Sequence, residues 1–198
     1  CPERTLLSGS SKPCGDAGGV HWIIQADRPL ATPAAGSLTP ALATMSHFVT
    51  GIVGKPKSLE AFAEKHSLHL PIELSQGFSL LPLRDRDIAS FVASPLNGQP
   101  RGFNYLSEQL LQELRLASSG ASLVYFETEY FGGMGAQGAV AVINGQLAFG
   151  PESAESGTIN KALALLGVAV NPPAHDEFEA IGLNRHRQTE HWVAASRG

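Results

Sequence analysis

Tyr125-Phe-Glu-Thr-Glu-Tyr-Phe-Gly-Gly-Met-Gly-Ala-Gln-Gly-Ala-Val-Ala-Val-Ile-Asn-Gly-Gln-Leu-Ala-Phe149 is the stretch whose reading decides the fold. Gly133-x-Gly135-x-x-Gly138 matches the dinucleotide fingerprint, and Val140 extends it to the form found in kinase lids. The dinucleotide reading requires a strand, the glycines and then a helix whose first amides hold a pyrophosphate. Here Gly138 is followed by Ala-Val-Ala-Val-Ile and then by Asn144-Gly145. Asn-Gly between β-formers signals a two-residue hairpin, because a type I′ turn needs positive φ at both central residues. The glycines therefore join strands and do not open a helix. A kinase would also need a lysine on the next strand, His-Arg-Asp and Asp-Phe-Gly loops and a helical lobe. The chain has neither loop, and only 58 residues follow Val140.

Working outward, the strand Leu123 to Phe131 precedes this hairpin, and a helix over Asn104 to Ala117 precedes the strand. Leu106, Leu110 and Leu114 recur at four-residue spacing on that helix, with Leu111 beside them and Glu108, Gln109, Gln112, Glu113 and Arg115 opposite. Further upstream, Phe48 to Val53 reads as a strand. Ser58 is a candidate cap for a helix carrying Leu59, Phe62, Ala63 and His66 on one side. Ile72 to Leu74 and Phe78 to Leu83 read as a strand pair broken at Gln76-Gly77, and Asp85 or Asp87 caps a short helix. Downstream, a helix runs from about Thr158 to Leu166, and Asp176-Glu-Phe-Glu179 forms a capping box. Adjacent antiparallel strands with helices give an α+β class, a mainly antiparallel sheet with helices expected on one face.

A chain of 198 residues with 43% hydrophobic and 16% charged residues builds one sizeable core. Net charge is −4 and no basic run is present, which argues against a nucleic-acid footprint. Apolar runs such as Ala162 to Val170 fall far short of the roughly 20 residues that span a bilayer, so no integral membrane segment is expected. Residues 1–44 differ from the rest: they carry both cysteines, Cys1 and Cys14, and five of the thirteen prolines. They read as a leader or linker before a single domain over 45–198, and three origins fit: added or upstream-translated sequence, a tethering arm, or a lipoprotein start with an acylated Cys1. A Cys1–Cys14 disulfide requires an oxidising compartment. The expected location is cytoplasmic, with lipid anchoring through Cys1 as the alternative.

Three constellations can carry chemistry. Alternation along the strand puts Leu123, Tyr125, Glu127, Glu129 and Phe131 on one face, with the two glutamates roughly 6.5–7 Å apart at the Cα level. Paired carboxylates suit a divalent metal or an acid/base pair, and carboxylates flanked by aromatics suit a binding surface. The second constellation is His175, His186, Glu190 and His191. If Arg185 to Trp192 is helical, His186 and Glu190 share a face at i,i+4 and, with Glu127 and Glu129, form a candidate metal set. The third, Ser153 to Ser156, lacks the Gly-x-Ser-x-Gly elbow of a serine hydrolase.

The run Thr-Glu-Tyr-Phe-Gly-Gly-x-Gly-x-Gln at 128–137, its hairpin, and the terminal Asn184-Arg-His-Arg187 resemble small stand-alone bacterial proteins of the toxin-immunity kind. The resemblance spans about Met45 to Trp192. It implies a non-enzymatic protein that binds and blocks a protein partner. The expected contact residues are Tyr125, Glu127, Glu129, Phe131, Gly133, Gly135 and Gln137, with acidic groups steering a basic partner and aromatics anchoring it. No cofactor is expected on this reading. The alternatives are a small metal-dependent hydrolase using Glu127, Glu129, His186 and Glu190, and a small-ligand sensor with its pocket under the glycine hairpin.

Overall fold

A computed structural model describes residues 46–196; the leader expected over 1–44 and its two cysteines lie outside the described residues. Six strands form one sheet in the order β2-β3-β1-β4-β5-β6, with every neighbouring pair antiparallel. The strands are β1 (His47–Gly54), β2 (Ile72–Glu73), β3 (Ser79–Pro82), β4 (Ser122–Phe131), β5 (Met134–Ile143) and β6 (Gln146–Ala154). The helices are α1 (Pro56–Lys65), α2 (Asp85–Ala89), α3 (Glu108–Ala117), α4 (Thr158–Leu165), α5 (Glu177–Ala180) and α6 (Thr189–Ala195). The domain is α+β, and no helix among the described residues is long and apolar enough to cross a membrane.

The strand β4 alternates as expected, but both of its faces are covered. Leu123 and Tyr125 join Ile52, Val140 and Val142 beneath Leu59 and Phe62 of α1, Ile88 of α2, and Leu110 and Leu114 of α3. Val124 and Phe126 join Val49, Val53, Ala139 and Ala141 beneath Ile159 and Leu163 of α4 and Trp192 of α6. The helices therefore flank both sides of the sheet, where one side had been expected. The two cores explain why β1, β4 and β5 read as apolar on successive residues, since only a strand buried on both faces can dispense with polar positions. Burial of each large aliphatic chain contributes about 1.5–3 kcal/mol.

Local chemistry sets the turns. Gly132 and Gly133 have φ of 61° and 83°, and Asn144 and Gly145 have 50° and 77°. Both hairpins thus turn through two positive-φ residues, the pattern of a type I′ turn. Pro56 begins α1 at a position where no amide is needed, so Ser58 is inside the helix and Lys55 precedes it. The first half of β1 extends beyond β3, and the chain entering α6 fills that open edge. The Phe48 amide donates to the Arg187 carbonyl at 2.8 Å and the Thr50 amide to Thr189 Oγ1 at 3.0 Å.

Candidate functional site

Glu127 has its side chain on the α1–α3 side of the sheet and is only 5% exposed. Four donors converge on it: the Asn104 amide on Oε2 at 2.7 Å, and the Tyr105 amide at 3.0 Å, the Leu106 amide at 3.0 Å and the Tyr125 hydroxyl at 2.7 Å on Oε1. The three amides are successive, and that of Leu106, in a buried residue, would otherwise lack a partner. The helix α3 begins at Glu108 and not at Asn104 because Ser107 is extended and caps it, its hydroxyl accepting from the Leu110 amide at 3.2 Å. Tyr125 is fully buried, and burial together with the Glu127 charge raises its hydroxyl pKa well above the usual value. Tyr125 and Glu127, expected on an exposed rim, are therefore interior groups that hold the loop over residues 103–107.

Beyond this latch the described residues leave the sheet face exposed. Register places Phe48 opposite Glu129, Glu129 opposite Ala136, and Phe131 opposite Met134, all on the same face. Phe48 is 37%, Phe131 59% and Met134 80% exposed. They line, with Glu129, Asn104 and Phe103, a recess of about 440 Å³. Glu129 Oε2 accepts from Asn104 Nδ2 at 3.0 Å. Gly138 lies beneath the Phe103 ring: a Cβ there would meet ring carbons at 2.7 and 2.8 Å. At Gly135 an added Cβ would run into the Glu129 carbonyl. Gly133 is exposed at the hairpin tip.

The recess adjoins a cleft of about 610 Å³ lined by Thr50, Arg84, Arg86, Tyr105, Gln188 and Glu190 among others. Its walls are fixed by internal bonds. Arg84 Nε and Nη2 donate to the two Asp87 oxygens at 2.7 and 2.8 Å. Burial pushes the Asp87 carboxyl up, but the hydrogen bonds and charge of Arg84 outweigh it and hold it below its ordinary value. The Tyr105 hydroxyl donates to Asp85 at 2.7 Å, and burial with the Asp85 bond pushes its pKa up to about 12.

Gln137 belongs to the other side of the sheet. It donates to the Tyr130 hydroxyl at 3.0 Å and accepts from the Ile159 amide at 2.9 Å, pinning the start of α4. It lines a separate cleft of about 370 Å³ with His47, Phe178, Asn184 and Arg187.

Of the candidate metal set, Glu127, Glu129 and Glu190 line the same cleft. His186 precedes α6 and lies edge-on to Trp192, ring centroids 4.8 Å apart, so it shares no helical face with Glu190. No group of three or more His, Cys, Asp or Glu side chains comes together to hold a metal ion among the described residues. Ser153 lies on β6, against Gly102. Phe48, Met134 and Arg84 escaped the sequence reading as site residues, because only the strand register and the loop placement bring them to the recesses that Glu129 lines. Comparison with known proteins matches no family model, no curated protein and no solved structure.

Proposed function

We propose that this protein is an interaction protein that holds a protein partner at the open end of its sheet, with an immunity-type inhibitor as the form suggested by its layout. The observation that carries this reading is the grouping of Phe48, Phe131 and Met134, all exposed, around the Glu129 carboxylate. Large apolar side chains clustered in the open and rimmed by polar groups mark contact surfaces. Such surfaces draw most of their energy from a few anchors. A net charge of −4 favours encounter with a basic partner.

The commitment of Glu127 argues for binding over hydrolysis. A carboxylate that already accepts four hydrogen bonds has little capacity left for a metal ion or a reacting water, and releasing it would strand three loop amides. The contact set on this reading is Phe48, Glu129, Phe131 and Met134, with Tyr125 and Glu127 acting from behind. The test is capture from cells that make the protein, comparing wild type with Phe131→Ala/Met134→Ala. A partner recovered by wild type and lost by the double variant supports the reading. Equal recovery by both contradicts it.

A further inference from the structure

We propose that the recess beside Glu129 receives the guanidinium of an arginine presented by the partner. This rests on the reading of the open sheet end as the partner surface and names the chemistry that fills it. Three observations carry it. First, Glu129 has no ion-pair partner among the described residues, so its charge is open to an incoming cation. Second, the described residues lining the recess include no cation: their polar side chains are Asn104, Glu127 and Glu129, and the others are Phe48, Phe103, Phe131, Met134, glycine and alanine. Third, Phe48 stands directly opposite Glu129 in the β1–β4 register, and Phe131 is two residues further along the same face. Carboxylate and aromatic rings therefore lie side by side.

That arrangement fits one kind of side chain best. A guanidinium is planar and weakly hydrated, stacks on an aromatic face and forks onto a carboxylate, whereas a lysine ammonium is compact and strongly hydrated. The Asn104 side chain already donates from Nδ2 to Glu129 Oε2, which fixes the carboxylate before the partner arrives. Glu127 in turn holds the Asn104 backbone, so the buried glutamate positions the exposed one.

The experiment is an amide chemical-shift titration of the full chain with the capped tripeptide acetyl-Gly-Arg-Gly-amide. The control replaces arginine by citrulline, which keeps the shape and removes the charge. The expected result is saturable shifts confined to Phe48, Asn104, Glu129, Phe131 and Met134, with binding about fivefold weaker for citrulline and for the Glu129→Gln variant. Glu129 is exposed, so the variant keeps its fold. Equal binding of arginine and citrulline, shifts scattered over the surface, or no shifts would overturn the proposal. Capture of a partner through Phe131 and Met134 with no arginine response sinks this inference alone. An arginine response with capture indifferent to those residues sinks the wider reading and leaves the recess.

Discussion

Glu127 and Glu129 are two residues apart on one strand and do different work. One is sealed under a loop with four hydrogen bonds, and the other stands at the edge of an apolar recess with one. Their substitution should separate accordingly. Glu127→Ala leaves three loop amides, that of Leu106 buried, and the buried Tyr125 phenol without an acceptor, and we expect a loss of about 3 kcal/mol in urea unfolding. Glu129→Ala should change stability by less than about 0.5 kcal/mol. Equal losses from the two would mean that the latch has been misassigned. Histidine chemistry adds a pH dependence. Burial, reinforced by the Arg187 charge, lowers the pKa of His47 below its unfolded value of 6.5, and Thr128 Oγ1 lies 2.8 Å from Nδ1. The unfolded chain then binds more protons between the two values, so the contribution of His47 is whole above pH 6.5 and is lost as pH falls through 6.5 toward the folded value. His47→Asn should therefore flatten the fall in unfolding free energy between about pH 7 and pH 5. An unchanged slope would show that His47 is not buried as described.

Among elements, the glycine-rich hairpin was legible because Asn144-Gly145 and the β-formers around it leave no other local conformation. The positions of β4, α4 and the α5 cap follow from equally local signals, alternation and an Asp-based box. What the chain does with Glu127 was not legible. Its acceptors' partners lie 21 to 23 residues away in the loop, and alternation alone cannot say whether a charged position faces water or a loop. The helix start lies at Ser107, whose extended backbone and capping hydroxyl set it, and His186 with Glu190 failed to share a helix because Arg187 and Gln188 run along the open edge of β1. Gly138 gives a direct check on this element-level account. Its hydrogen side faces the Phe103 ring, so Gly138→Ala must displace the loop or the strand. We expect a destabilisation of about 1–3 kcal/mol. A neutral effect would show that the ring does not rest on β5.

At the scale of the whole molecule, two helical layers seal the sheet from both sides and stop short of one end. The cores on the two faces account for Tyr125, Phe126, Ile52 and Val53 alike, while Phe48, Phe131 and Met134 are left in the open where the α1–α3 layer ends. The fold class was readable from strand and helix order, but the bare end emerges only once register and loop path are known. Other exposed apolar groups include Leu116 on α3 and Leu165 on α4. They provide a matched control. The most direct test of the contact surface is the affinity of the captured partner, by calorimetry, for wild type, Phe131→Ala and Leu116→Ala. The account predicts a loss of at least about tenfold for Phe131→Ala and no change for Leu116→Ala. Equal affinity of the partner for wild type and Phe131→Ala would contradict it.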